Sequence, residues 1–525
     1  MPQQPRDADE EMFLHAELQR NLDYIRNRVG SSKDLVVREF RIGTTQHKAA
    51  IVYIDNMVDK KMIGDLILRS LMVDPFLENA GEPGANPDQN RTLMNFIKEN
   101  ALAVGEIDIA KDWNLLFLSV MSGDTAILLD GCSEAIVSST RGAQYRAVEE
   151  PSTQVLIRGP KDGFTESIAT NVSLIRRRIK SPNLWLDSVR VGTETKTDVA
   201  ILYLKGTAND DTVREIKKRL SSIDIDGVLD SGVIEELIED EPFSVFPTIL
   251  NTERPDSVAG SLLEGRVAIV MDGTPFALIA PATFTMYFQS SGDYYHSYQF
   301  GIFIRCLRLV SFLISLFGPS IYVAAISYHQ EMIPTSLLIS LAAQREGVPF
   351  PAFVEAFLME GSFEILREAG VRMPRAIGQA VSIVGALVLG QAAVQAGIVS
   401  SAMVIVVSLT GIASFATPAF DLGISARLLR FTIMILAGLF GFFGITLCAI
   451  AIVAHLCGLR SFGVPYMTPF APFHLSDQKD ALLRFPVWTF KKRPSLVGRR
   501  NLVRQRGGRP PSPKPQAGKD GADES

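Results

Sequence analysis

Residues 41–54 read RIGTTQHKAAIVYI, and residues 190–204 read RVGTETKTDVAILYL. In each copy, an Arg-hydrophobic-Gly-Thr tetrad leads through a polar turn into an apolar run, AAIVYI or VAILYL, that is typical of a β-strand. A stretch with helical spacing follows in both places, DKKMIGDLILRSLM from Asp59 and DDTVREIKKRL from Asp210. A strand followed by a helix, repeated after about 150 residues, predicts two related α/β subdomains.

A second pair of similar stretches supports a duplication of this module. TAILLDG begins at Thr125 and RVAIVMDGTPF begins at Arg266, and both are strand candidates. We therefore expect cytosolic α/β subdomains at residues 33–145 and 182–290, preceded by an N-terminal extension and helix at residues 1–32.

Residues 146–181 are predicted to form a connecting helical segment. They contain GPKDGF from Gly159, which lacks both the GK[ST] of a Walker loop and the spaced glycines of a dinucleotide-binding loop. A turn that opens a helix is therefore favoured over a phosphate site. The basic run Arg176, Arg177, Arg178 and Lys180 would lie near the C-terminal end of that helix, where exposed carbonyls favour cations.

The chain becomes far more apolar after Glu264. Its 525 residues are 47% hydrophobic and 21% charged, but the segment from Phe300 to Leu459 contains long runs with almost no charge. We expect a helical transmembrane domain at residues 291–475, because about 20 apolar residues of helix cross a hydrocarbon core. The segments long enough are 302–328, which contains Pro319, and 377–397, 399–416 and 431–457. Two shorter stretches, 274–288 and 333–343, leave the number of membrane segments between four and six.

Charge at the chain ends predicts the orientation. The stretch from Arg484 to Arg509 holds nine basic residues and no acidic one, so by the positive-inside rule it belongs in the cytosol. The N-terminus has no basic, apolar pattern of a cleavable signal and is expected in the cytosol as well. An even number of membrane crossings places both chain ends in the cytosol. Residues 476–525 are predicted to form a basic, partly disordered tail, either simply solvated or attracted to anionic lipid.

Small and polar residues are arranged regularly in the second apolar segment. Helical spacing places small residues on one face, which can pack closely on a neighbouring helix. Gln391 and Gln395 lie one turn apart on another face, and buried amides need partners, either on a neighbouring helix or as water in a pore. Both alternatives remain open. The candidate packing residues are Ser382, Ala386, Gly390, Ala393 and Gly397.

An acidic stripe precedes that segment. Glu360, Glu364 and Glu368 follow one another at intervals of four residues, so they share one face of a helix. This face is either the wet side of an interfacial helix or, if several copies meet around an axis, a set of carboxylate rings that favours cations. These glutamates and the two glutamines are the candidate pore or gating residues.

Other site classes find little support. The four cysteines and six histidines are scattered, which predicts neither a disulfide framework nor a metal site. No nucleophile elbow, metal helix or kinase-type set occurs, so no enzymatic activity and no cofactor are expected. A net charge of −5 and the lack of an aromatic platform disfavour nucleic-acid binding.

Five ordered motifs resemble the GerA family of spore germination proteins, specifically the A subunits of germinant receptors. The resemblance covers about Asn21 to Arg500, nearly the whole chain. The motifs are GPKDGFTESIATNVSLIRRRIKSPNL, EGRVAIVMDGTPFALIAPATF, GVPFPAFVEAFLMEGSFEILREAG, GQAAVQAGIVSSAMVIVVSLTGIASF and PYMTPFAPF.

The resemblance implies an oligomeric, nutrient-gated ion channel subunit, self-associated as a pentamer, in the inner membrane of the spore. It also implies two partners, a permease-like B subunit and a lipoprotein C subunit. Two rival functions remain: a scaffold of the receptor cluster that does not conduct, and a dipicolinate transport component like the sporulation-operon relatives.

Overall fold

A computed structural model describes residues 13–30, 32–43, 47–73, 93–98, 106–142, 148–373, 388–481, 483–498, 501–505 and 507. The described residues form an α/β part followed by a helical part, as the sequence predicts.

The α/β part contains two five-stranded antiparallel sheets. The first has the strand order β1-β2-β4-β5-β3, and the second has the order β6-β7-β9-β10-β8. The two orders are equivalent when strands are counted from the start of each sheet. The strands of the first sheet are β1 (Leu35–Ile42), β2 (His47–Ile54), β3 (Ile107–Ala110), β4 (Thr125–Leu129) and β5 (Ala135–Ser138). Those of the second are β6 (Leu184–Val191), β7 (Thr197–Leu204), β8 (Leu250–Thr252), β9 (Val267–Met271) and β10 (Ala277–Ala280).

Helices cover both faces of each sheet, which explains why the central strands are apolar throughout instead of alternating. The helices of this part are α1 (Leu18–Val29), α2 (Trp113–Val120), α3 (Ile168–Arg178), α4 (Asp210–Ser221), α5 (Ser231–Ile238) and α6 (Pro255–Leu263). A further helical stretch follows β2 as Lys60–Met62, a π-helical Ile63–Leu68 and Arg69–Val73. Helix α3, expected within the connecting segment, packs through Val172, Leu174 and Ile175 into the core of the second sheet.

A buried ion pair joins the two sheets. Arg176, at the end of α3, contacts Asp34 through Nε and through Nη2, the latter at 2.8 Å, and Nη2 also donates to the Ser32 hydroxyl at 2.9 Å. Both charged side chains are almost fully buried. The backbone adds a direct link, because Lys33 N–H donates to the Leu186 carbonyl in β6.

The helices of the helical part are α7 (Tyr298–Tyr328), α8 (Thr335–Arg345), α9 (Ala352–Arg372), α10 (Ser401–Ser414), α11 (Phe420–Phe440) and α12 (Phe442–Gly458). Residues 388–395 are also helical. By length and composition, α7 and α11 could cross a membrane, while α10 and α12 are apolar but shorter. Helix α7 continues unbroken through Pro319.

The expected apolar segment 431–457 is two helices instead of one. Gly441 has φ +61° and ends α11, so the chain turns and α12 begins at the next residue. Hydropathy counts apolar residues but does not register a backbone that only glycine adopts readily, which is why the break was missed.

The contacts define the directions of the helices. α9 is antiparallel to α11, because Phe353 lies against Gly438 while Glu360, two turns later, reaches Arg430. α10 is parallel to α9, because the start of α10 meets the start of α9 and, further along, Gly411 lies against Phe363. α9 and α10 therefore both run toward the end of the bundle at which α7 and α11 begin.

The described part of the C-terminal tail packs on the second sheet's side of the α/β part. Arg493 Nε donates to the Leu263 carbonyl at the end of α6, and Ser495 binds Asp477. Arg484 is buried and donates to the carbonyls of Tyr294 and His296. Over these residues the tail is thus partly packed on the protein, and its predicted attraction to lipid stays a prediction.

Candidate functional site

Arg430 is the centre of a charge network inside the helical part. Its side chain is 1% exposed, and its Nη1 donates to Glu360 Oε2 at 2.5 Å. Nε donates to the backbone carbonyl of Ser315 at 2.6 Å, and Nη2 donates to the Ser315 hydroxyl at 2.9 Å. One guanidinium therefore ties together α7, α9 and α11.

Pro319 explains why the Ser315 carbonyl is available. In an α-helix this carbonyl would accept from the N–H of the residue four positions later, and proline has no N–H. An unsatisfied carbonyl is costly in an apolar environment, so a side-chain donor from a neighbouring helix stabilises the arrangement. Arg430 supplies that donor while neutralising Glu360.

A second carboxylate fixes the start of α10. Glu355, fully buried in the first turn of α9, accepts from both the backbone N–H and the hydroxyl of Ser400 at 2.9 Å. Ser400 caps α10 by accepting from Met403 N–H. Arg345, at the end of α8, donates to the other oxygen of Glu355. A carboxylate is favoured at a helix N-terminus, so this contact joins α8, α9 and α10.

The three glutamates of the predicted acidic stripe have three different environments. Glu360 is buried on Arg430, whereas Glu364 is half-buried between Arg367 and Arg427. Glu368 is exposed and, among the described residues, pairs with Arg372, one turn away on its own helix. Glu360 and Glu364 thus face the inside of the protomer, and the structure does not bring the three side chains together on one open surface. Their role in a pore stays a prediction.

Of the other candidate residues, Ser382 and Ala386 lie outside the described residues. Gly390 is buried against Val404 of α10, which is the kind of contact expected of a small residue. Gly397 has φ +65° and lies in the turn before α10, against the Gly347 carbonyl, so it is a turn residue. Ala393 is half-buried and its carbonyl accepts from Ile398 N–H in the same turn.

Gln391 and Gln395 are both exposed on the helical residues 388–395. Among the described residues, neither side-chain amide has a hydrogen-bonding partner within the protomer. Two exposed amides in an otherwise apolar segment are compatible with either a second chain or water as the partner, so their role also stays a prediction.

A cavity lies where the α/β part meets the helical part. It has a volume of about 480 Å³, and its wall includes Glu235 of α5, Asn251 of β8 and Asp421 at the start of α11. Asn251 Nδ2 donates to Asp421 Oδ2 at 2.7 Å, so one hydrogen bond links the second sheet directly to a long apolar helix. Arg367 and Arg427 complete the wall on the side of the helical part.

The electrostatics of this junction cavity favour a protonated carboxyl group. Burial, reinforced by the charges of Asp421 and Glu239, raises the pKa of Glu235 to about 8, although Asn251 opposes the shift. Protonation at Glu235 would change the charge of the wall within a physiological pH range.

A second contact between the parts surrounds Arg305, near the start of α7. Its buried guanidinium binds Asp293 at 3.0 Å and Asp480 at 3.0 Å, and Arg308 also binds Asp293 at 2.8 Å. Tyr294 donates to Asp480 at 2.9 Å. Burial raises the pKa of Asp480 to about 6, against the opposing effect of Arg305. The tail, the start of α7 and the chain before it are thus one unit.

Arg305 and Arg308 lie within the apolar segment 302–328, but the sequence analysis did not find their partners, and it missed Arg430 and Asp421. A usable signal existed, since a charged residue within an apolar segment is costly unless paired. However, Arg430 and its partner Glu360 are 70 residues apart in the sequence, and Asp421 and its partner Asn251 are 170 residues apart. Local spacing does not reveal such pairs. Within the described ranges, no group of three or more His, Cys, Asp or Glu side chains is arranged to hold a metal ion.

Comparison with known proteins gives consistent matches. The model of the family described as Bacillus/Clostridium GerA spore germination protein matches residues 23–496. Spore germination protein KA of Bacillus subtilis is 51% identical over 98% of this chain and 92% of its own length. The uncharacterized membrane protein YfkQ of the same organism is 45% identical over 92% of this chain and 92% of its own length. Among solved structures, the N-terminal domain of the A subunit of the Bacillus megaterium spore germinant receptor GerK3 is 44% identical, with a TM-score of 0.40, over 52% of this chain and 97% of that domain.

Proposed function

The chain belongs to the GerA family of spore germination proteins, and on that premise we propose that it is the A subunit of a nutrient germinant receptor, in which it forms the oligomeric ion channel and transduces the nutrient signal. The family predicted from the sequence motifs is thereby confirmed, while the conducting role is our proposal. Permease-like B and lipoprotein C subunits, implied by the resemblance, are its proposed partners, and a pentamer is its proposed assembly.

The proposed location is the inner membrane of the spore, with the α/β part and the tail in the cytosol. Helices α11 and α12 support it, because each leaves a row of large apolar side chains exposed, among them Leu439, Phe443 and Ile450. Such continuous apolar faces are unfavourable in water and suit lipid. The name of the relative YfkQ, a membrane protein, is in keeping with this placement.

The helix directions support six crossings. α7 and α11 run away from the α/β part, whereas α9, α10 and α12 run back toward it. Because α9 and α10 run the same way, one more crossing is needed between them, where the sequence predicts the apolar segment 377–397. Six crossings leave both chain ends on one side, in agreement with the tail packing on the α/β part.

Duplication of one α/β module is also part of the proposal, supported by the equivalent strand orders of the two sheets. The ion pair between Asp34 and Arg176 would hold the copies as one cytosolic unit. The second sheet shares a continuous hydrophobic core with α7, α11 and α12, so a shift in that unit would be carried into the membrane helices.

The single observation that carries the conducting role is the exposure of Gln391 and Gln395, whose side-chain amides have no partner among the residues that the structure describes. Polar side chains inside a membrane domain must find a partner, and neighbouring copies around an axis would place these amides beside water in a shared path.

The test is nutrient-triggered release of monovalent cations from spores that carry the parent protein or the Gln391→Leu, Gln395→Leu variant, with protein levels checked by immunoblot. We expect normal accumulation and an altered rate of release, whether slower, faster or spontaneous. Gln19→Leu, the same change at an exposed site in α1, is the matched control and should behave as the parent. Unchanged release with normal levels would contradict conduction through these amides, and loss of assembly alone would favour the non-conducting scaffold.

A further inference from the structure

Two loops of the α/β part carry the most exposed large apolar side chains outside the helical part. Phe243 is 98% exposed and Ile157 is 97% exposed. Each has an exposed apolar neighbour, Val245 and Val155 respectively. Full exposure of such a side chain to water forgoes the favourable free energy of burial, so an apolar partner is favoured at these positions.

The first loop is fixed to two membrane helices. The Val245 carbonyl accepts from the Ser425 hydroxyl in α11 at 2.6 Å, and the Ser244 hydroxyl lies 3.0 Å from His455 Nε2 in α12. Ser425 lies five residues into α11, which is about 7–8 Å along the helix axis. His455 lies three residues before the end of α12, about 4–5 Å along its axis.

The positions of Ser425 and His455 along their helices indicate where Phe243 lies relative to the membrane. Helix α11 has 21 residues and a length of about 31 Å, which matches a hydrocarbon core of about 30 Å. If α11 crosses the membrane, a loop bound one to two turns inside its end lies at the boundary between headgroups and acyl chains. At that level the medium around Phe243 is lipid.

The second loop lies beside the start of α7. Leu156 and Ile157 line a cavity of about 380 Å³ together with Phe300 and Ile304, in the first two turns of α7. Gln154 anchors the loop, since its side chain accepts from Thr252 and its carbonyl accepts from Arg254. Arg158 is exposed beside Ile157 and suits an anionic headgroup.

We propose that Phe243 and Ile157 insert into the cytosolic leaflet and anchor the second α/β subdomain to the lipid surface. The partner is lipid, because the first loop is bound to the ends of α11 and α12 that face the α/β part, and the second lies beside the start of α7. Amphipathic anchors at this boundary fix the position and tilt of the elements that carry them. This inference rests on the proposed membrane placement of the helical part.

The test adds one tryptophan at a time to the full-length protein, as Phe243→Trp or Ile157→Trp. The protein is reconstituted in vesicles of equal parts phosphatidylcholine and phosphatidylglycerol, with or without bromine on the upper acyl chain. The parent has three tryptophans, so the tryptophan fluorescence of the variant in excess of the parent's comes from the added residue. We expect bromine to remove about half or more of the added emission at both loops, because a side chain at the interface contacts the upper acyl chain.

Two controls separate this inference from the membrane placement itself. Phe443→Trp lies on the exposed face of α12, and Phe13→Trp is an exposed position in the N-terminal extension, paired with Asp112 of the first α/β subdomain. Quenching at Phe443 but not at the loops overturns the inference and leaves the placement intact, whereas no quenching at Phe443 overturns both. If neither brominated lipid nor the aqueous quencher iodide reduces the emission of the loop tryptophans, another copy of the chain covers them. That result also overturns a lipid partner. Quenching at Phe13 as well would show nonspecific adsorption and overturn it too.

Discussion

Arg430 Nε donates a 2.6 Å hydrogen bond to the backbone carbonyl of Ser315, the carbonyl that Pro319 leaves without its helical partner. The same guanidinium neutralises Glu360. A proline in one apolar helix is thus compatible with its surroundings because an arginine from a second helix replaces the missing donor, and the arginine is compatible because a third helix supplies a carboxylate. Each of the three groups would be costly without the other two.

Arg430→Met is therefore expected to destabilise the helical part strongly. The substitution leaves Glu360 charged and buried without its cation, and it removes the donor to Ser315. Breaking a buried pair from one side costs about 3–5 kcal/mol. Thermal unfolding of the full-length protein in detergent, followed by circular dichroism, should show a lower midpoint and less monodisperse material.

Two variants test the origin of that loss. Glu360→Met combined with Arg430→Met removes both charges and should recover much of the stability, because apolar replacement of a buried pair is often nearly neutral. Arg372→Ala breaks the exposed pair with Glu368 and should cost under about 1 kcal/mol. Equal losses for Arg430→Met and Arg372→Ala would show that burial of the pair is not what matters.

The buried pair between Asp34 and Arg176 is predicted to couple the two sheets. Asp34→Ala leaves the Arg176 guanidinium buried, with Ser32 and Met121 as its remaining side-chain partners among the described residues, at an expected cost of about 3–5 kcal/mol to that contact. Limited proteolysis of the full-length protein should then release the first α/β subdomain earlier than in the parent. Arg190→Ala, which breaks an exposed pair with Asp198, should leave the digestion unchanged.

Local patterns predicted local structure well. AAIVYI and VAILYL lie in the inner strands β2 and β7, and their residues are largely buried because helices cover both faces of each sheet. Patterns of one helix did not predict pairing between helices. The spacing of Glu360, Glu364 and Glu368 places them on one side of α9, but their partners come from α9 itself and from α11 at two depths, and no periodicity contains that information.

The C-terminal tail also shows contacts that its composition does not predict. Its basic composition with Pro and Gly is typical of a solvated segment, yet Arg493 donates to the last carbonyl of α6, and Arg484 donates to two carbonyls before α7. Arginines satisfy backbone carbonyls at helix ends as readily as they face water, so composition alone does not distinguish the two outcomes.

Gly444 is predicted to be essential for the turn between α11 and α12. A Cβ at this position would lie 2.3 Å from the backbone carbonyl oxygen of Leu436, so the helices must separate to accept one. Gly444→Ala should cost about 1–3 kcal/mol, the usual range for overpacking. Gly458→Ala is the matched control on the same helix, because a Cβ there would meet nothing within 4 Å. If both variants melt at the parent's temperature in detergent, the close approach of the two helices is not maintained.

Glu235 in the junction cavity is predicted to make stability fall as pH rises. Its folded-state pKa is about 8, above the ordinary value of 4.5, because burial and the charges of Asp421 and Glu239 disfavour the carboxylate. Between these two values the folded chain holds a proton that the unfolded chain has released. Since stability rises with pH only where the unfolded state binds more protons, the stability from this group is present at low pH and lost as pH rises through about 8. Glu235→Gln mimics the neutral form, so its melting temperature should fall less than the parent's between pH 5 and pH 8.5. Glu236→Gln changes an exposed neighbour on α5, and its melting temperature should depend on pH as the parent's does. If the melting temperature of Glu235→Gln shows that same pH dependence, Glu235 is not the titrating group of the junction.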